Sequence, residues 1–226
     1  IAKSILFSVY NFFQYLIGKI AVPATSKSVD DIGFSPRCWS LICEKDSQWK
    51  AKRVSIEVNG KIVDALMMGR EETLKNGRWV LYGVGNGHTY EEAMNSYLED
   101  LTGEIDANII FFNYPGVGAS EGHATKKSMA DANRGVLKFL EDEVKAKEII
   151  LYGFSIGGGV QAEALDGYDF REDVKYVSVK EKTFESLSSV VTAILPTLGR
   201  FVAKPLLKLF DWDFQTAKGS RALPIP

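Results

Sequence analysis

The sequence predicts an α/β protein with a doubly wound, mostly parallel sheet that is preceded by an antiparallel hairpin and an amphipathic helix. Residues 53–69 alternate in polarity about Asn59-Gly60, a dipeptide typical of a tight hairpin turn. Three short apolar runs then alternate with helical patterns, as expected for parallel strands that helices cover on both faces. These runs are residues 79–84, 108–114 and 148–154.

Two of the predicted helices carry start signals. Thr89 and Glu92 form a T-x-x-E capping box, and apolar side chains line one face of the predicted helix 90–102. Ser128 and Asp131 are predicted to cap the next helix in the same way. A third helix is predicted directly after the last apolar run, so strands and helices alternate to the end of this region.

Residues 3–22 show the apolar rhythm of a helix face, which Pro23 ends. Polar side chains interrupt the stripe, so it is too polar for a transmembrane span and lacks the features of a signal peptide. Two interpretations remain. The preferred one is a helix packed on its own domain or on another subunit, and the other is a helix lying in the plane of a membrane surface.

The composition is that of an ordinary globular protein, with 46% hydrophobic and 25% charged residues. A formal net charge of -2 gives no basic surface of the kind that nucleic-acid binding needs, so nucleic acid is excluded as a partner. Cys38 and Cys43 have no second cysteine pair and no nearby histidine, so no metal site is predicted. We expect two free thiols, with one local disulfide as the less favoured alternative.

A second apolar region spans residues 190–210 and is broken by Pro196 and Pro205. Its cations recur at four-residue steps and share one helix face if Pro205 permits it; they are Arg200, Lys204 and Lys208. The preferred interpretation is a helix packed beside the sheet with a solvated basic edge. The alternative is a cap over an acyl pocket, or a membrane-facing surface.

The stretch IILYGFSIGGG, residues 149–159, predicts a sharp turn from a strand into a helix with Ser155 at its apex. In such a turn the serine hydroxyl is accessible, and the amide of Ile156 points to where an oxyanion would form. A nucleotide-binding glycine turn is disfavoured because GFSIGGG fits neither the P-loop nor G-x-G-x-x-G.

Three segments in order resemble the α/β-hydrolase superfamily. GVGNGHTYEE, after the first parallel strand, is similar to the H-G-x-type oxyanion loop, with Val84 where the family often has histidine. NYPGVGASEG, residues 113–122, resembles the family's D-x-R-G-x-G-x-S-x-G loop, and the G-x-S-x-G turn follows. The resemblance covers residues 53–226. The long N-terminal helix and NGHTYEE also resemble hydrolase-like proteins of intracellular bacterial pathogens such as Chlamydia and Legionella.

The resemblance implies a serine hydrolase of the esterase or lipase kind. Ser155 would be the nucleophile, and the backbone amides of Ile156 and Asn86 would hold the oxyanion. His88 and His123 are candidates for the rim of the site. No metal or organic cofactor is implied, and the apolar segments suggest a lipid or acyl ester as substrate.

The family places its acid and then its histidine after the nucleophile, whereas both histidines here precede Ser155. The adopted explanation is that the natural protein continues past Pro226 with the acid and histidine, so that this chain alone is inactive. A second is a rearranged site that uses His88 or His123, since loops at the carboxyl ends of parallel strands meet at one edge. In preference to a role as catalytic base, we expect His88 to shape its loop and His123 to be a solvated loop residue. A third explanation is a catalytically inactive binding or membrane-peripheral protein.

These inferences divide the chain into two parts. Residues 1–50 are predicted to form the N-terminal amphipathic helix and a connecting segment. Residues 51–226 are predicted to form an α/β-hydrolase core without the C-terminal strands that carry the acid and the histidine. The expected partners are a small-molecule or lipid ester and a membrane surface that contacts residues 3–22. The sequence does not decide whether the protein is membrane-associated, located in a bacterial cytoplasm or secreted.

Overall fold

The computed structural model describes residues 2–27, 49–94, 106–217 and 223. Within them, one six-stranded sheet has the order β1-β2-β4-β3-β5-β6, and helices cover both of its faces. The first two strands are antiparallel to their neighbours, and the other four are parallel to one another. The strands are β1 (Trp49–Val58), β2 (Lys61–Arg70), β3 (Arg78–Gly83), β4 (Asn108–Phe112), β5 (Glu148–Phe154) and β6 (Lys175–Glu181).

The described helices alternate with the parallel strands and also flank them in the sequence. They are α1 (Ala2–Ala21), α2 (residues 90–94), α3 (Lys126–Asp142), α4 (Ile156–Leu165), α5 (Leu187–Ile194) and α6 (Lys204–Leu209). Short turns at Pro196–Leu198 and Gly199–Ala203, the second of them π-helical, join α5 to α6. We refer to residues 187–210, which contain α5 and α6, as the cap segment. The doubly wound architecture predicted from the sequence is confirmed.

The hairpin between β1 and β2 turns at Asn59-Gly60, as predicted. Both residues have positive φ, 52° and 70°, which is the combination that a two-residue turn between twisted strands requires. Val58 then pairs with Lys61 at the first rung of the ladder. The dipeptide therefore sets the register of the whole pair.

The start of α3 differs from the prediction. Thr125 is the N-cap. Its side chain accepts a hydrogen bond from the Ser128 amide at 3.0 Å, and the Thr125 amide donates to the Ser128 hydroxyl at 2.9 Å, which completes a capping box. The predicted capping by Ser128 and Asp131 is wrong because the helix begins at Lys126, one turn earlier. Asp131 lies within the helix and pairs with Lys127. The sequence contains two overlapping capping patterns, Thr125 with Ser128 and Ser128 with Asp131, and the first of them forms.

The capping box of α2 is confirmed. The Thr89 amide donates to the Glu92 carboxylate at 3.0 Å, and the Glu92 amide donates to the Thr89 hydroxyl at 3.4 Å. The remainder of the predicted helix, residues 95–102, lies outside the described residues. Cys38 and Cys43 lie outside them as well.

Strand β6 was missed by the sequence analysis. Its sequence, KYVSVKE, pairs in parallel with β5 along its whole length but forms an edge of the described sheet. Only Tyr176 is buried, so the strand lacks the continuous apolar run of the inner strands. The alternating valines at 177 and 179 were the available signal, because β-branched residues favour strands.

Helix α1 packs on the domain along one face and exposes its other face. Gln14 and Gly18 are buried, and a Cβ on Gly18 would lie 2.3 Å from the carbonyl oxygen of Ala124, so glycine is needed for this close approach. Val22 and Ala24, just after the helix, belong to the main hydrophobic core. One face of α1 therefore packs on its own domain, which agrees with the preferred interpretation. Among the described residues, no helix is long and apolar enough to cross a bilayer.

Candidate active site

Ser155 occupies a strained backbone conformation at the turn from β5 into α4. Its φ of 54° and ψ of -118° lie in a region that non-glycine residues rarely adopt, at a cost of roughly 1–3 kcal/mol. The Ser155 amide donates to the Glu181 carbonyl at 2.9 Å, and the Gly158 amide donates to the Ser155 carbonyl at 3.1 Å. These two contacts fix the turn, so the strain is imposed by the surrounding structure. Such strain is typical of functional positions.

The glycines around Ser155 are needed for close packing. A Cβ on Gly153 would lie 2.5 Å from the Cα of Gly158, and a Cβ on Gly157 would lie 2.2 Å from the carbonyl oxygen of Gly83. Any side chain at these positions would push α4 away from β3 and β5. The G-x-S-x-G pattern is thus explained by the approach of a helix to two strands.

Ser155, Ile156 and Asn86 line one cavity. Ile156 is the first residue of α4, so its amide has no carbonyl one helical turn earlier to bind and is oriented to donate elsewhere. Asn86 lies in the turn that follows β3. The structure therefore brings the predicted nucleophile and the two predicted oxyanion residues to a common space.

The loop that follows β3, residues 84–89, is held by the segment that follows α1. The Lys27 ammonium donates to the Gly87 carbonyl at 2.8 Å and pairs with Glu92 at 2.6 Å. The Ala24 amide also approaches the Asn86 carbonyl at 3.4 Å. Sequence analysis missed these residues because a lone lysine in a mixed segment carries no pattern that predicts its partner.

Asn113 and Tyr114 join the loop after β3, and the start of α2, to the loop after β4. The Asn113 side chain accepts from the Tyr90 amide at 2.9 Å and donates to the Glu91 carboxylate at 3.1 Å. The buried Tyr114 hydroxyl donates to the Val84 carbonyl at 2.9 Å, and burial raises its pKa. The two loops on either side of the site are thus linked by buried hydrogen bonds.

Burial also raises the pKa of the Glu91 carboxyl, although hydrogen bonds from Asn113 and Thr89 oppose the shift. The folded protein then holds the Glu91 proton more tightly than the unfolded chain does, where the pKa is about 4.3. The contribution of Glu91 to the free energy of unfolding should therefore fall as the pH rises from about 4.3 toward the folded pKa, and then level off.

Glu91→Gln removes this titration while its amide oxygen can still accept from Asn113. We expect the free energy of unfolding of the variant, relative to wild type, to improve between about pH 4 and about pH 7. Urea denaturation at several pH values measures this difference. Glu57→Gln, at an exposed strand position, is the control. A Glu91→Gln difference that does not change with pH would contradict the assignment.

The cavity above Ser155 has a volume of about 540 Å³ and is almost wholly apolar. Residues of α1, α5 and α6 form most of its wall, and Asn86 and Ser155 are its polar members. The lining is Phe13, Leu16, Ile17, Ile20, Ala21, Asn86, Ser155, Ile156, Phe184, Leu187, Val190, Val191, Ile194, Ala203, Leu206, Leu207 and Phe210.

The cap segment therefore covers the space above Ser155, and the preferred prediction of a helix packed beside the sheet is wrong about its position. The segment is tied down at its start, where Ser188 donates twice to the Asp213 carboxylate, at 2.8 and 2.9 Å. Pro205 lies in the first turn of α6, where its missing amide proton costs little. Arg200, Lys204 and Lys208 of the cap segment are exposed, which agrees with the solvated basic edge predicted from the sequence.

Neither histidine is among the residues that line this cavity. His88 is exposed in the loop after β3. His123 is also exposed, and its ring contacts the Tyr15 ring edge-on at 5.2 Å, beside a smaller depression that includes Lys19. Their placement at the rim of the site stays a prediction.

The sheet order, the strained serine turn and the two loops beside it define an α/β-hydrolase fold. The α/β hydrolase of Vibrio vulnificus superposes with a TM-score of 0.70 at 15% identity, covering 94% of this chain and 72% of that one. An esterase of Pyrococcus furiosus superposes with a TM-score of 0.58 at 19% identity, covering 80% of this chain and 70% of the esterase. A putative hydrolase of Agrobacterium vitis superposes with a TM-score of 0.51 at 18% identity, covering 71% of this chain and 61% of that hydrolase.

The chain belongs to the family described as Chlamydia CHLPS protein (DUF818), whose model matches residues 27–226. The resemblance to a protein of an intracellular pathogen is thereby confirmed for Chlamydia. No curated protein matches the chain. The solved structures are too distant in sequence to show more than the fold.

Proposed function

We propose that the protein is a serine hydrolase that cleaves acyl esters. The observation that carries the proposal is the strained Ser155 at the floor of a large apolar cavity that it shares with Ile156 and Asn86. A strained serine between a strand and a helix is the arrangement that exposes a nucleophilic hydroxyl. The fold supports the same class of reaction but does not identify the residues.

In the proposed reaction the Ser155 oxygen attacks the ester carbonyl while a histidine takes the hydroxyl proton. The amides of Ile156 and Asn86 donate to the oxyanion. When the intermediate collapses, the alcohol leaves with that proton and the acyl group stays on Ser155. Water then attacks the acyl-enzyme, releasing the acid. The proposal assigns the histidine and its acid to a segment of the natural protein outside residues 1–226, because no histidine follows Ser155 here.

The lining of the cavity supports an acyl chain as the group that is recognised. A volume of about 540 Å³ lies within the range of roughly 300–1,000 Å³ that is usual for ligand sites. Burial of each CH₂ group against apolar walls contributes about 0.8 kcal/mol. Four additional CH₂ groups then raise kcat/KM on the order of 100-fold if they are fully buried.

We therefore expect the complete natural protein to prefer octanoyl over butanoyl p-nitrophenyl esters by about two orders of magnitude in kcat/KM. Ala203→Phe, which fills the cavity, should remove this preference and leave butanoyl turnover nearly unchanged. Ala193→Phe is the matched control, since Ala193 is exposed on α5 and does not line the cavity. Equal rates for both esters in the wild type would contradict acyl recognition.

A second candidate function is a hydrolase-fold protein that binds an acyl ligand without turning it over. The observation in its favour is that neither histidine lines the cavity that contains Ser155. In that case the complete natural protein would bind a fatty acid, weakened by Ala203→Phe, and would hydrolyse no ester. Turnover that depends on Ser155 would exclude this candidate.

A further inference from the structure

Two segments of the chain expose large apolar side chains to an unusual degree. On α1, Phe7 is 67% exposed, and on the cap segment Phe201 and Leu209 are 71% and 70% exposed. Buried apolar side chains stabilise a fold, whereas clustered exposed ones mark an interaction site. Other exposed apolar side chains in the same two segments are Leu6, Val9, Phe12, Leu195, Leu198 and Val202.

The two segments adjoin one another. The Phe13 ring of α1 stacks on the Phe210 ring at the end of the cap segment, with centroids 4.9 Å apart. The Tyr10 ring lies 5.8 Å from the same ring, and the Gln14 amide donates to the Phe210 carbonyl. We call the exposed sides of residues 6–20 and 194–209 the docking face, because these contacts make them one surface.

The charge of these segments is one-sided. Residues 2–21 and 187–210 contain five cations and no aspartate or glutamate, although the whole chain has a net charge of -2. Arg200, Lys204 and Lys208 are all exposed. The adjacent acid, Asp211, pairs with Lys126 at 3.0 Å and so does not neutralise them. An apolar surface whose own segments carry cations and no carboxylate is complementary to lipid with anionic headgroups.

We propose that the docking face binds the surface of an anionic lipid bilayer, with α1 and the cap segment lying in the membrane plane. A second copy of the chain fits this face poorly, since a symmetric contact would bring together two surfaces whose segments carry cations and no carboxylate. The in-plane orientation follows from the contacts of α1, whose inner face is packed on the domain.

The cavity above Ser155 opens on this same face. Ile20 and Ile194 each line the cavity and are 71% and 70% exposed, so they stand at its mouth. A lipid ester could then pass from the bilayer into the cavity without crossing water. This last step rests on the proposed function, whereas the membrane contact does not.

The test is cosedimentation of the complete natural protein with vesicles of phosphatidylcholine alone and of phosphatidylcholine mixed with phosphatidylglycerol. We expect binding to the mixed vesicles and about 100-fold weaker partitioning when Arg200, Lys204 and Lys208 are all changed to glutamine. The same change at Lys52, Lys61 and Lys138, exposed residues outside the docking face, should leave partitioning within about twofold.

Phe7→Ser and Phe201→Ser should each weaken partitioning about 10-fold, because each removes an aromatic ring from the interface. Leu74→Ser, an exposed apolar position in the turn between β2 and β3, is the matched control. Raising NaCl from about 0.1 M to about 1 M should weaken binding of the wild type. Soluble-ester turnover should be unchanged by all of these substitutions.

Absence of binding to the mixed vesicles would overturn the proposal. Equal binding by the triple glutamine variant would also overturn it, as would a dimer in light scattering that Phe7→Ser and Phe201→Ser dissociate. Because ester turnover is measured separately, vesicle binding without any turnover would sink the proposed hydrolase and leave the membrane contact standing.

Discussion

Ser155→Ala is expected to lower kcat for ester hydrolysis by the complete natural protein on the order of 10⁴-fold or more. The reason is that the substitution removes the oxygen that forms the acyl-enzyme, and no other hydroxyl among the residues that line the cavity can replace it. Initial rates with an octanoyl ester measure the effect. Ser178→Ala, on β6 and outside the cavity, should retain full activity.

Ser155→Gly separates lost chemistry from lost structure. It removes the same hydroxyl, but glycine adopts a positive φ without strain, so the free energy of unfolding should rise by about 1 kcal/mol. We therefore expect a protein that is inactive and more stable than the wild type. Activity that survives in both variants would mean that Ser155 is not the nucleophile.

Gly157→Ala is expected to lower the free energy of unfolding by about 3 kcal/mol or more. Its Cβ would lie 2.2 Å from the Gly83 carbonyl oxygen and 3.0 Å from the Val84 carbonyl oxygen, and neither backbone atom can move without displacing β3. Alanine has a better helix propensity than glycine by about 1 kcal/mol. The steric overlap is the larger effect, so the net change is destabilising.

Thermal unfolding measures this prediction, and a loss of about 3 kcal/mol corresponds to roughly 10 °C in Tm for a domain of this size. Gly87→Ala is the matched control, because a Cβ there has no neighbour within 4 Å. We expect that variant to melt within about 2 °C of the wild type. Equal melting of both variants would show that α4 does not approach β3 as closely as described.

The fold could be predicted from the sequence where local patterns decide the structure. Asn59-Gly60 has positive φ at both positions, and β3, β4 and β5 consist mostly of apolar residues. Edge strand β6 could not be predicted in the same way, because most of its side chains are half-exposed or exposed. Its extended conformation is stabilised by parallel pairing with β5, which a local sequence pattern does not reveal.

The site could be predicted only in part, for a related reason. Ser155 and its glycines are neighbours in the sequence, so their pattern is visible before the chain folds. The wall of the cavity comes from α1 and the cap segment, which lie more than 160 residues apart in the chain, and no local pattern pairs Phe13 with Phe210. Lys27 and its partner Gly87, in the loop after β3, are likewise far apart in the sequence.

The role of Ser155 as nucleophile can be tested by treating the complete natural protein with a fluorophosphonate and mapping the product by peptide mass spectrometry. We expect a single phosphonyl adduct on the peptide that contains Ser155, and no adduct in Ser155→Ala. A folded wild-type protein that remains unlabelled, or an adduct on another residue that persists in Ser155→Ala, would contradict it.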